Sequence, residues 1–69
     1  MHRDPVASSN IVSIGYDPPS ETLEVEFQKG TVYQFYNVPT SIYEAIMAAH
    51  SKGQFFVSQI RNSYPFARV

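Results

Sequence analysis

The chain has 69 residues, a net charge of −1, no cysteine and two histidines. That length holds one domain, and the missing cysteines exclude a disulfide framework and a cysteine-based zinc site. No apolar run approaches the roughly 20 residues that span a bilayer, and the near-zero charge argues against strong nonspecific binding to polyanions. A small core must therefore rest on bulky side chains, and five Phe and five Tyr supply them.

The first residues, Met1-His2-Arg3-Asp4-Pro5, are polar and lack the apolar block of a signal peptide. Residues 1–8 read as a flexible leader and residues 9–69 as a single domain. A soluble, cytoplasmic location is expected, in keeping with the absence of cysteine.

A strand is predicted from Asn10 onward, with Val12, Ile14 and Tyr16 alternating against Ser13 and Gly15. Ile11 breaks the alternation and calls for a place at the sheet end or a bulge. Asp17-Pro18-Pro19-Ser20 reads as a turn, because proline fixes φ and cannot donate to a ladder. Leu23, Val25 and Phe27 alternate with Glu24 and Glu26, which predicts an apolar inner face and a solvated acidic outer one. Gln28-Lys29-Gly30 reads as a three-residue hairpin loop with glycine in the left-handed conformation. That loop length sets Phe27 opposite Thr31, Val25 opposite Tyr33 and Leu23 opposite Phe35. Tyr33 and Phe35 then point inward, while Tyr36 lies outside or at the edge.

Val38-Pro39 ends this strand, and a helix is predicted with Thr40 or Ser41 as its cap. Ser41-Ile42-Tyr43-Glu44 has capping-box spacing, and Ile42, Ala45, Ile46 and Ala49 form an apolar stripe. A second helix start is read at Ser51-Lys52-Gly53-Gln54, with Gly53 at a sharp turn between helices. Phe56 and Ile60 share one face, and Tyr64-Pro65 stops the helix. The expected fold is α+β: a three-stranded antiparallel meander followed by two short helices packed on one face. Phe66 and Val69 either fold back onto the core or fray.

No catalytic set emerges, so a non-enzymatic module without metal or cofactor is expected. His50 stands alone near a helix C-terminus, where a cation is favoured for ordinary reasons. The serines have no evident base, and Glu24 and Glu26 sit on the face expected to be wet. The charge distribution is more informative. Residues 1–44 carry two cations against six acids, whereas residues 45–69 carry Lys52, Arg61 and Arg68 and no acid. A polyanion would meet the C-terminal third first. Lys52, Arg61 and Arg68, with Tyr64 or Phe55 as a stacking ring, form the candidate nucleic-acid contact. The competing reading is a protein-interaction module that docks through a sheet edge or the aromatic tail.

The ordered set of residues resembles the KTSC domain, a module found at the C-terminus of some lysyl-tRNA synthetases and as small stand-alone bacterial proteins. The resemblance runs from Ser9 through Ile14-Gly15-Tyr16-Asp17, Leu23, Val25, Phe27, Gly30 and Val38-Pro39. It continues through Tyr43, Ala49, Ser51-Lys52-Gly53, Phe56 and Ile60-Arg61 to about Tyr64. The family carries a central Tyr-x-Tyr, and Tyr33-Gln34-Phe35 stands in its place. The resemblance implies that Tyr33, Phe35, Gly30, Pro39 and Gly53 are the structural motif. It also implies an RNA or tRNA-like partner, an activity proposed for the family because it is attached to synthetases.

Overall fold

The computed structural model describes residues 1–69. Its elements in chain order are β1 (Asp4–Pro5), β2 (Ile11–Asp17), β3 (Thr22–Phe27), β4 (Val32–Phe35), α1 (Thr40–Ala48), α2 (Lys52–Phe55) and β5 (Phe66–Arg68). Between α2 and β5 the helix continues as a π-helical turn, Phe56–Ile60. The architecture is α+β, with an antiparallel sheet in the order β1-β2-β3-β4-β5 and helices on one face.

The sheet thus has five strands rather than the three expected. The two additional strands are two and three residues long, too short for alternation to register in the sequence. β1 lies within the segment read as a leader and pairs Asp4 with Ile14 and Pro5 with Ser13. β5 brings the tail beside β4, with Tyr36 N donating to the Pro65 carbonyl at 2.8 Å and Val69 N to that of Val32 at 2.9 Å.

The central hairpin has the register its loop length predicts. Leu23 faces Phe35 and Val25 faces Tyr33. Phe27 N donates to the Thr31 carbonyl at 2.8 Å and Gly30 N to that of Phe27 at 2.9 Å, with Gly30 at φ +87°. In β2 the register shifts between Ile11 and Ser13, because Ile11 faces Phe27 and Ser13 faces Glu26. Val12 is the extra residue, so the bulge turns Ile11 into the core and leaves Val12 half-buried. The core joins Ile11, Ile14, Leu23, Val25 and Phe35 of the sheet to Val38, Ile46, Phe56 and Ile60.

The first helix starts differently from its sequence signal. Pro39 occupies the N-cap position and no side chain caps the helix. The Pro39 carbonyl accepts from Ile42 N at 3.0 Å, so Thr40 already lies in the first turn and Ser41 sits one place too far in to cap. The Thr40 hydroxyl instead lies 3.4 Å from that of Tyr16, which donates to the Val38 carbonyl at 2.5 Å. Stacking of Tyr16 on Tyr43, with centroids 4.8 Å apart and an 8° tilt, ties this helix to β2. The second start does form as its spacing predicts: Ser51 Oγ accepts from Gln54 N at 3.2 Å. Gly53, however, lies inside α2 rather than at a turn. The break between helices falls at Ala49, which is extended at φ −69°, ψ 141°.

Candidate functional site: an aromatic groove with cationic rims

The two sides of the sheet differ sharply in chemistry. On the side away from the helices, Glu24 is buried, not solvated as its alternation suggested. The Arg3 guanidinium reaches over β2 to pair with Glu24, donates from Nε to Ser13 Oγ at 3.0 Å and lies 3.7 Å from Glu26. Ser13 Oγ donates to Glu26 at 2.9 Å, Gln34 Nε2 to Glu24 at 2.8 Å, and the Tyr36 hydroxyl to Gln34 at 3.1 Å. Gly15, which faces Glu24 across the ladder, makes this possible: a Cβ there would overlap the His2 carbonyl and crowd the Arg3 stem. Burial alone raises the Glu24 carboxyl pKa, but hydrogen bonds from Gln34 and Arg3, together with the Arg3 charge, outweigh it and hold the pKa below its ordinary value.

On the helix side, five rings form one cluster. Phe35, only 3 % exposed, is its buried centre. Phe56 packs on it at 5.3 Å between centroids and Phe66 at 5.7 Å, and Phe27 meets Phe56 edge to face at 5.2 Å. Tyr33 touches Phe27 at 6.0 Å and Phe66 at 5.9 Å, both edge to face. The helices do not cover this end of the sheet. Phe27, Tyr33, Phe56 and Phe66 wall an open groove of about 600 Å³, a volume typical of small-ligand sites. Phe66 is 58 % exposed and Tyr33 half-buried, whereas Phe35 belongs to the buried core.

Two cations stand on the rims, Lys29 from the hairpin loop and Arg61 just past the π-turn, and no acid lines the groove. The π-turn closes with Arg61 N donating to the Phe56 carbonyl at 2.9 Å, five residues back. It places both Val57 and Arg61 on the groove. Arg68 faces Tyr33 in the ladder and therefore shares its side of the sheet. Lys29, Arg61 and Arg68 form no ion pair; the salt bridges within the chain all come from His2 and Arg3.

The four residues singled out from the sequence fall in different surroundings. Arg61 lines the groove and Arg68 lies on the adjoining strand. Lys52 turns its Nζ back to the Ala49 carbonyl at 3.2 Å, which serves the open end of α1. Tyr64 is half-buried against the core, as is Phe55. Lys29 was not singled out, because only the folded hairpin carries residue 29 across to residue 61. His50 is exposed, and no three His, Asp or Glu side chains converge. No helix is long and apolar enough to cross a membrane.

Comparison with known proteins adds the lineage. An uncharacterized protein of Stutzerimonas stutzeri is 41% identical over 56 residues, 81% of this chain and 79% of the relative. A lysine–tRNA ligase of Nostoc sp. is 33% identical over 61 residues, which are 88% of this chain but 11% of the ligase. The crystal structure of a KTSC domain protein from Yersinia pestis superposes with a TM-score of 0.94 at 40% identity, covering 99% of this chain and 96% of that one. The family model of the KTSC domain matches residues 7–64, and on this agreement of sequence and fold the chain belongs to the KTSC domain family.

Proposed function

We propose that the protein is a non-catalytic binding module whose aromatic groove holds a short stretch of single-stranded RNA with modest affinity. One observation carries this reading: of the four cations without an acidic partner, Lys29 and Arg61 line the groove of half-open rings and Arg68 lies on the strand beside it, with only Lys52 elsewhere, while Glu24 and Glu26 are engaged by Arg3 on the far side of the sheet. Unstacked bases find a platform on aromatic side chains, and phosphates find Lys and Arg beside it. With three such cations the logarithm of affinity should fall against the logarithm of salt with a slope of about −2, which keeps binding weak at physiological salt. The relationship to part of a lysine–tRNA ligase supports an RNA context.

The test is an NMR titration of the protein with a short single-stranded RNA at two salt concentrations. Salt-sensitive shifts at Lys29, Tyr33, Arg61 and Phe66 are the expected result. No shift at millimolar RNA rejects the reading. Concentration-dependent broadening confined to β5 in the absence of RNA would favour the rival, strand pairing with another protein through the open outer edge of β5.

A further inference from the structure

We infer that the outer edge of β2 is a docking site for an extended, arginine-bearing segment of a partner protein, and that residues 2–5 of the chain fill this site as a built-in stand-in. The site lies at the opposite edge of the sheet from β5, so the inference is independent of the RNA reading.

The stand-in shows what the site recognises. Arg3 sets its guanidinium against three groups at once: it pairs with Glu24, lies 3.7 Å from Glu26 and donates to Ser13 Oγ at 3.0 Å. The side chain of Glu24 is only 8 % exposed, and a carboxylate so covered needs a cation that reaches it. A planar fork of five donors serves several acceptors together, whereas an ammonium is a point charge. Gly15 shapes the seat for the backbone, because a Cβ there would overlap the His2 carbonyl. None of residues 1–5 belongs to the buried core and both residues of β1 are exposed, so the segment can leave without opening the core.

The stand-in uses only part of the edge. Val6 N donates to the Val12 carbonyl at 3.0 Å, so Val12 turns its backbone groups toward the N-terminal segment. Alternation turns those of Ile14 and Tyr16 the same way. Asp4 stands opposite Ile14, but no backbone group of the N-terminal segment bonds Tyr16. Pro5 stands opposite Ser13, whose backbone groups face β3, so its missing N–H costs the ladder nothing. An open cleft of about 350 Å³ continues past Tyr16 to Asp17 and Tyr43, and no lysine or arginine lines it. A partner strand with arginine in the place of Arg3, extended by a residue or two along Tyr16, would reproduce the contacts of the stand-in and add to them. Main-chain pairing at the edge supplies affinity, and the acidic seat supplies specificity.

The experiment adds a synthetic peptide of residues 1–6 to the isotope-labelled full chain and follows the amide shifts by NMR. The variant Arg3→Ala vacates the seat of the guanidinium, and circular dichroism verifies that it folds. Shifts at Ser13, Gly15 and Tyr16 are expected in Arg3→Ala. The wild type should bind at least about tenfold more weakly, because its own segment competes at the millimolar effective concentration of a short linker. A peptide with lysine in place of the arginine should also bind about tenfold more weakly. Adding Gly15→Ala to the Arg3→Ala variant should abolish the shifts. No shift in folded Arg3→Ala at millimolar peptide overturns the inference, as does equal affinity for the two peptides or a response confined to the aromatic groove. If Arg3→Ala does not fold, the wild type with about 10 mM peptide gives the readout, and unshifted amides from Ser13 to Tyr16 overturn the inference. Edge shifts that grow with protein concentration alone make the occupant a second copy and overturn the assignment to a different protein.

Discussion

Arg68 stands directly across from Tyr33 in the β4–β5 ladder, and two residues earlier Phe66 stands across from Phe35. The short tail strand therefore does two things at once. It seals the buried ring of Phe35 with a second ring, and it sets a guanidinium beside the ring that stays open. Without β5 the groove would lose the Phe66 wall, and Tyr33 would lose its neighbouring cation, Arg68. The groove is thus assembled from a loop, a helix end and a terminal strand that meet only in three dimensions.

Charge substitutions should distinguish the groove from the rest of the basic C-terminal third. Lys29→Ala and Arg61→Ala should each weaken RNA binding for all sequences and reduce the salt slope by about 0.7. Lys52→Ala should leave both unchanged, because Nζ of Lys52 is already turned to the Ala49 carbonyl. Fluorescence anisotropy across a salt series measures the slopes. A Lys52 variant as weak as the Arg61 variant would shift the contact surface to the start of α2.

Tyr33 and Phe35 differ in burial and should differ in cost. Phe35→Ala opens a cavity at the centre of the ring cluster and should lower stability by about 3–5 kcal/mol. Tyr33→Ala removes a half-buried ring and should cost about 2 kcal/mol, roughly half of a full core deletion. It should also remove RNA-induced shifts in the groove. Tyr33→Phe should fold with near wild-type stability, since the hydroxyl makes no hydrogen bond within the chain. Urea denaturation measures each value, and equal losses for both alanine variants would place Tyr33 in the core.

The Arg3–Glu24 pair makes part of the stability depend on pH. The folded-state pKa of Glu24 is lowered, so its contribution is fully present above the unfolded carboxylate value near 4.3. That contribution is lost as pH falls through the lower folded value. Arg3→Ala should therefore cost about 2 kcal/mol near neutral pH, the size of a charge-assisted hydrogen bond, and much less in acid. Glu24→Gln should flatten the acid limb of the stability curve. Denaturation midpoints followed from about pH 7 to about pH 3 test both, and a wild-type acid limb retained in Glu24→Gln would assign the pH dependence to other carboxylates.

Two glycines of the family pattern should respond differently to alanine. Gly30 has φ +87° and open space where a Cβ would go, so Gly30→Ala pays only for backbone conformation, about 1–2 kcal/mol. Gly53 is helical, and Gly53→Ala gains helix propensity of up to about 1 kcal/mol, with the added Cβ meeting Asn10 Nδ2 at an ordinary van der Waals distance of 3.4 Å. A melting temperature at or slightly above that of the wild type is expected for Gly53→Ala. A loss as large as that at Gly30 would show that the packing beside Asn10 does not accommodate a Cβ at Gly53.

The sequence by itself determined the central hairpin, because alternation in Leu23-Glu24-Val25-Glu26-Phe27 and a loop ending in Gly30 admit a single register that buries the rings. It also determined the helix start at Ser51, where one hydroxyl and one amide three residues apart suffice. It placed Phe35 inside for the same reason of register. The α1 cap was misjudged because the choice among Pro39, Thr40 and Ser41 is made by Tyr16, far away in the chain. Only the tertiary structure decided the fate of Glu24. Period-two alternation says which side of a sheet a residue faces but not what covers that side, and here Arg3 covers it. The groove was likewise beyond local pattern: Lys29, Tyr33, Arg61 and Phe66 belong to four separate segments, and their shared surface exists only because the central hairpin, the short strand β5 and a widened helical turn bring them together.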